Sequence, residues 1–217
     1  MLILNAGSTS FITKLLHWLN NQDQWLFLYI NRIFTNSLLD NVLPVWREAQ
    51  TWYPFYLFLL VFTLVNFGKK AWLWMLFFAL TIAICDQVSS ALLKDLIARP
   101  RPCRDPQFSQ YVRLLLNRCP SSGSFTSSHA SNHFGMAFFL VHTLKDYVKN
   151  GKYLIYGWAA SICYAQVYVG VHYPLDVIGG ALVGCLIGYG TSSFFNKKFG
   201  PLALVNGKVS GDFERIE

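Results

Sequence analysis

The run AWLWMLFFALTIAICDQVSSALLKDLI, residues 71–97, decides the fold. Its first half is almost wholly apolar and, with its flanks, is long enough to cross a bilayer as a helix. Its second half carries Asp86, Ser90 and Lys94 at four-residue intervals, on one face that a lipid-exposed helix would not tolerate. That face must look into a bundle. The chain is therefore expected to be an all-α, polytopic membrane protein.

Working outward, the turn Gly68-Lys-Lys70 separates this helix from an apolar span at 52–67. Downstream, further spans are expected from Ser127 to about Tyr147, from Tyr153 to Val169 and from Pro174 to Phe195. This gives five spans, or six if the N-terminal region crosses. Gly180, Gly184 and Gly188, at four-residue intervals in the last span, suit close helix packing in lipid. Upstream, Phe11 to Leu19 reads as a short amphipathic helix. The stretch from Trp25 to Trp46 is apolar but interrupted by Asn31, Arg32, Asn36 and Asp40, so 1–50 is assigned to the membrane interface. Residues 51–196 form the transmembrane core and 197–217 a polar tail. A polar loop from Arg99 to about Phe125 is expected to hold a surface helix near Tyr111 to Leu116.

Composition agrees with this reading: 53% of the 217 residues are hydrophobic and 13% charged. The net charge of +7 is dispersed between apolar segments instead of forming one basic face, which sets nucleic-acid binding aside. The residues Met1 to Asn5 lack the basic start of a secretory signal, so insertion is expected to rest on the later spans. With five spans, Lys69, Lys70, Lys145, Lys149, Lys152, Lys197 and Lys198 share one side, which the positive-inside rule makes cytoplasmic. The loop from Arg99 to Phe125 then faces the exterior or periplasm. Cys103 and Cys119 bracket that loop and are expected to be bonded or bondable there, whereas Cys85, Cys163 and Cys185 lie in apolar stretches as packing residues.

Three polar clusters emerge on that same outer side. Lys94 and Arg101, at the end of the second span with its Arg99-Pro-Arg-Pro102 break, form a cationic clamp suited to phosphate. Gly123-Ser-Phe-Thr-Ser-Ser-His129 precedes the third span: Thr126 or Ser127 is placed to cap it. Its first-turn amides and the Ser127 and Ser128 hydroxyls are placed to cradle an anion. His129 stands beside them as a general acid. His172 and Asp176 flank Pro174 at the mouth of the last span, where a carboxylate orients a histidine nucleophile. Two other readings compete: helix-mouth polarity without chemistry, and a metal site from His129, His133, His172 and Asp176, which would leave the cations unexplained. His17 and His142 read as interfacial residues.

Taken together, these clusters resemble the type 2 phosphatidic acid phosphatase, or lipid phosphate phosphatase, superfamily. Its Lys, six residues, Arg-Pro motif is met by Lys94, Arg101 and Pro102, and its Pro-Ser-Gly-His by Thr126-Ser127-Ser128-His129. Its Ser-Arg, five residues, His, three residues, Asp is met at His172 and Asp176, with Ala165-Gln166 in place of Ser-Arg. The compact layout is similar to the undecaprenyl-diphosphate phosphatases of that superfamily. The resemblance implies a cofactor-free, metal-independent phosphatase acting on a lipid phosphate or diphosphate at the outer face of the inner membrane. Candidate substrates are undecaprenyl diphosphate, phosphatidylglycerophosphate, phosphatidate and lipid A phosphates. His172 is then nucleophile, Asp176 its orienter and His129 the acid, while Lys94, Arg101, Ser127, Ser128 and Gln166 hold the phosphate. An amide at 166 supplies no charge; Arg99 or Arg104 compensates, or activity is weaker, or the substrate unusual. The rival function is a membrane protein that binds or moves a lipid phosphate without turnover.

Overall fold

The computed structural model describes residues 11–204, and all regular structure among them is helical. The expectations for the first residues and for most of the polar tail lie outside that range. Helix α1 spans Phe11–Leu28, longer than the sequence suggests, and runs on as a π-helical turn over Tyr29–Ile33. Helix α2, Ser37–Trp46, is capped by the Asn36 side chain, which accepts the Leu39 N–H at 2.9 Å. Helix α3, Tyr53–Phe67, starts with a proline in its first turn and stops at Gly68, whose φ of 56° no larger residue favours.

Helix α4, Lys70–Ile97, is one of two described helices long and apolar enough to cross a membrane by length and composition; the other is α7, Pro174–Phe199. Between them lie α5, Ser128–Thr143, and α6, Lys152–Tyr168, with a single turn of helix at Lys145–Val148. The α4 helix ends where Ala98 turns left-handed (φ 48°) ahead of the two prolines, as the Arg99-Pro-Arg-Pro break requires. Within α4, Gln87–Leu93 is π-helical. There Ser89 meets the Thr126 hydroxyl at 2.9 Å and Ser90 the Ser128 hydroxyl at 2.8 Å, so both serines hold the start of α5.

Helices α4, α5 and α7 form the centre. On α7, Gly180, Gly184 and Gly188 are buried against the α5 backbone, and a Cβ at Gly184 would strike the Ser131 carbonyl and the Gly135 nitrogen. This seam is why the helices touch backbone to backbone. Lipid gives apolar faces little reason to associate, so packing of this kind and interhelical hydrogen bonds hold the bundle. Three such bonds are Trp74 Nε1 to Thr143 Oγ1 (2.8 Å), Thr81 with Thr191 (2.7 Å) and His142 Nδ1 with Ser192 (2.8 Å), each contributing about 0.6 kcal/mol. His142, expected at the interface, thus joins α5 to α7 and also stacks on Tyr189. The outward faces stay apolar: Leu186 and Val65 are each 72% exposed, as lipid contact demands.

The surface helix expected near Tyr111 to Leu116 does not form. A single 3₁₀ turn at Ser109–Tyr111 gives way to extended chain, because Asn31 captures the backbone there. Its side chain accepts the Arg113 N–H (2.8 Å) and donates to the Arg113 and Tyr168 carbonyls, 2.9 and 2.8 Å. A helix would have used those groups itself. Gly170 (φ 93°) lets the two segments meet, since a Cβ would lie 2.8 Å from the Arg113 carbonyl. Asp40 then binds the Arg113 guanidinium through both oxygens, 2.7 and 2.8 Å. Polar residues that interrupt the N-terminal region in the sequence thereby dock it against the segment around Arg113.

Candidate active site

The ends of α4, α5 and α7 deliver the three sequence clusters to one place. Lys94, at the last turn of α4, is 8% exposed and donates to Ser128 Oγ at 2.7 Å. Ser90 shares that hydroxyl at 2.8 Å and also reaches Asp86 at 3.2 Å, so the inward face read from the sequence is real. Ser127 caps α5, accepting the Ala130 N–H at 3.4 Å, and its own N–H donates to the Asp176 carbonyl at 3.0 Å. That bond ties the mouth of α5 to the mouth of α7. The N–H groups of Ser128 and His129, in the first turn of α5, have no place in the helix's own ladder and are available to an anion. The Ser127 hydroxyl, by contrast, is fully buried in its capping role.

Arg101 is the side chain that meets His172. Its Nη1 lies 3.0 Å from His172 Nε2 and 3.1 Å from the Val171 carbonyl, while Nε and Nη2 donate to the Ser122 carbonyl (2.9 Å) and hydroxyl (3.0 Å). A guanidinium only donates, so His172 Nε2 must accept and the ring proton resides on Nδ1. The Nδ1 side faces Asp176 Oδ2 at 3.7 Å and Ser124 Oγ at 3.5 Å, and Ser124 in turn donates to that same carboxylate oxygen at 2.5 Å. The orienting link between His172 and Asp176 therefore passes beside a serine that the sequence reading quoted without assigning. Burial pushes the His172 imidazole down to about 4; Asp176 opposes this, and the charges of Arg101 and Lys94 add to it. The ring is neutral at physiological pH, with a lone pair on Nε2.

Asp176 is wholly buried and fully engaged. Arg99 Nη1 donates to it at 2.7 Å and the Tyr173 N–H at 2.8 Å. Arg99 also binds Asp23 of α1 at 2.7 Å and lies over the Tyr173 ring, 4.2 Å from its centroid. Asp23 further accepts the Leu175 N–H at 2.8 Å, so α1 helps to hold the start of α7. Arg104 donates to the Cys119 carbonyl at 3.2 Å, inside a loop closed by a disulfide between Cys103 and Cys119. Neither Arg99 nor Arg104 reaches Gln166. The residue that does is Arg47, at the end of α2, whose Nε donates to Gln166 Oε1 at 3.2 Å.

His129 and His133 stack 6.4 Å apart, but His133 spends its Nδ1 on the His129 carbonyl (2.7 Å) and packs edge-on to Trp158. Among the described residues no three His, Cys, Asp or Glu side chains are arranged to hold a metal ion. A cleft of about 450 Å³ opens beside the cluster, lined by Lys94, Arg99, Arg101, Arg104, Ser122 and Gly123. A second cavity of about 500 Å³ is almost wholly apolar and lies between α3 and α6, around Trp52, Phe55 and Trp158.

Comparison with known proteins matches this arrangement. The sequence profile of the PAP2 superfamily matches residues 71–199. A lipid A 4'-phosphatase of Bacteroides thetaiotaomicron is 30% identical over 183 residues, covering 83% of this chain and 79% of that protein. A lipid A 4'-phosphatase of Porphyromonas gingivalis is 31% identical over 168 residues, covering 76% and 69%. The crystal structure of a transmembrane PAP2-type phosphatidylglycerolphosphate phosphatase from Bacillus subtilis superposes with a TM-score of 0.60, over 83% of this chain and 88% of that one. At 22% identity it shares the fold. With more than half of its length matched and lipid phosphatases among its relatives, this membrane protein belongs to the PAP2 superfamily and is a lipid phosphatase.

Proposed function

We propose that the chain hydrolyses a lipid phosphate monoester or diphosphate through a phosphohistidine at His172. The observation that carries this reading is the direction of the imidazole: Nε2 meets Arg101 at 3.0 Å while Nδ1 faces Ser124 and Asp176. The lone pair thus points among cations, where a phosphate would sit. His172 Nε2 attacks phosphorus and the bond from phosphorus to the lipid oxygen breaks. His129 gives that oxygen a proton. Water then attacks the phosphohistidine, losing its proton to His129, and phosphate leaves. Asp176 stabilises the positive imidazole that forms on attack. Lys94, Arg101, the Ser128 hydroxyl and the first-turn amides of α5 hold the phosphoryl oxygens as charge shifts onto them, while Ser127 contributes by fixing that turn.

The relatives suggest the substrate: both lipid A 4'-phosphatases cover most of this chain, which makes a lipid A phosphate the first choice within the class. We further propose five spans, α3 to α7, in one membrane unit flanked by the N-terminal region. The lysine-rich turns then lie in the cytoplasm and the site faces the periplasm. The Cys103–Cys119 disulfide supports that side, since such bonds persist in oxidising compartments. The outer arginines no longer oppose the charge rule, because Arg99, Arg101 and Arg113 are each bound to a partner within the protein: Asp23 and Asp176, His172, and Asp40.

The test is phosphate release by the purified protein from lipid A, phosphatidylglycerophosphate, phosphatidate and undecaprenyl diphosphate, with chelator present. His172→Ala should lower turnover by about a thousand-fold or more. Undiminished turnover removes the mechanism, loss of wild-type activity with chelator points to a metal hydrolase, and phosphate affinity without release points to a binding protein.

A further inference from the structure

Arg47 lies outside every motif that the sequence singled out, yet it is 7% exposed and bonded to the side chain at position 166. Its Nε donates to Gln166, itself wholly buried, and its Nη1 binds Glu48 at 2.6 Å. Glu48 is half exposed, so solvent screens much of that pairing. Nη2 is used by neither contact. The Gln166 backbone carbonyl accepts the Val171 N–H at 3.3 Å, so Arg47 stands one side chain away from the loop that carries His172. Gln166 Nε2, buried on the same side chain, finds no hydrogen-bond partner among the described residues.

Lys94, Arg101 and Arg47 are buried cations from three separate segments, and their counter-ions are shared, indirect or screened: Asp176 is bound by Arg99, Asp86 reaches Lys94 only through the Ser90 and Ser128 hydroxyls, and Glu48 is half exposed. Arg101, outside the helices, is pushed down to about 10: burial is the largest cause, Asp176 opposes it, and the Arg47 and Arg104 charges add to it. Buried cations whose counter-ions are shared, indirect or screened are costly, and a bound anion lowers that cost.

We infer that Arg47 is a phosphate-binding residue of this site, a cation delivered by the N-terminal helical region and aimed by the Gln166 amide. The inference rests on the phosphatase reading and adds to it the source of the charge that position 166 lacks. Gln166 is then a positioning residue: its Oε1 fixes the guanidinium, leaving its free Nε2 and Arg47 Nη2 for phosphoryl oxygens.

The experiment compares Arg47→Ala, Arg47→Lys, Arg47→Gln and the exchange Arg47→Gln with Gln166→Arg. Three readouts are used: kcat/KM, inhibition by inorganic phosphate, and protection from heat by inorganic phosphate. Arg47→Ala should weaken phosphate inhibition and lower kcat/KM by roughly 10- to 100-fold, the range for a lost charge-assisted hydrogen bond. Arg47→Lys should recover part of the loss, and the exchange should regain about tenfold over Arg47→Gln. Unchanged phosphate inhibition in a folded Arg47→Ala protein overturns the inference, as does a fall in melting temperature with phosphate affinity intact. Should Arg47→Ala not survive purification, the exchange decides: recovered phosphate affinity supports the inference and a folded protein without it overturns it. A wild-type protein that turns over no lipid would sink the phosphatase reading alone, since phosphate protection from heat still reports on Arg47.

Discussion

At one end of α4, α5 and α7 the space between the helices is filled by Trp74, Phe77, Phe139 and Phe195; at the other it is filled by Lys94, Arg101, His172 and Asp176. Both ends hold side chains that are almost wholly buried. Trp74 and Phe139 are 1% and 0% exposed, His172 and Asp176 2% and 0%. Burial alone does not distinguish structure from function here. The difference lies in what is left over. At the aromatic end, ring fits ring and the Trp74 N–H finds Thr143. At the polar end, Asp176 is fully bonded while Lys94 and Arg101 make no direct carboxylate contact among the described residues and Gln166 Nε2 is left without a partner, an arrangement suited to an anion.

Matched substitutions offer the largest test of that comparison. Asp176→Asn should lower turnover by about a thousand-fold or more, because the amide neither stabilises the imidazolium nor balances Arg99. Trp74→Ala should remove about 3 kcal/mol or more of stability by leaving a cavity, while kcat/KM of the protein that remains folded stays within a few-fold of wild type. Thermal unfolding in detergent and phosphate release, measured on both variants, check the pair; equal damage to activity from both would break the division between the two ends.

A smaller effect should follow from reducing the Cys103–Cys119 bond, which closes a separation of 16 residues over the cationic cleft. Loosening that loop is expected to cost up to about 3 kcal/mol of stability and to lower kcat/KM a few-fold, with the aromatic end unaffected. A membrane-impermeant reductant applied to intact inner-membrane spheroplasts should suffice. If only a permeant reductant works, the site faces the cytoplasm.

The smallest effect is one of pH. His172 has its pKa lowered to about 4 in the folded protein, so Nε2 stays unprotonated at neutral pH and the limb of kcat/KM that reports its protonation should fall near pH 4 instead of near 6.5. The sign for stability follows: the unfolded chain takes this proton first, so the contribution is present above the ordinary histidine value and is lost as pH falls from there toward 4. Arg101→Gln removes a charge that disfavours the imidazolium and should move the acid limb to higher pH. A limb near 6.5 in the wild type would show that the imidazole is hydrated and the polar end open.

The parts legible in the sequence were those fixed by local rules. The apolar run at 71–97, with Asp86, Ser90 and Lys94 on one face, required a bundle. The Pro100 and Pro102 break and the Ser127 cap then set where helices stop and start. The expected disulfide is present. The expected helix near Tyr111 was wrong for a physical reason: Asn31, distant in sequence, outbids the local helix for its backbone groups.

The candidate residues could be named from spacing, but not their partners. Sequence alone determined the membrane bundle, the order of the clusters and the doubtful glutamine at 166. The tertiary structure decided which charges pair: Arg99 goes to Asp23 and Asp176, Arg104 to a loop carbonyl, and Arg47 comes across from α2 to Gln166. A charge acts through space at a distance that chain spacing does not encode, so only the folded helices reveal which arginine stands beside the histidine.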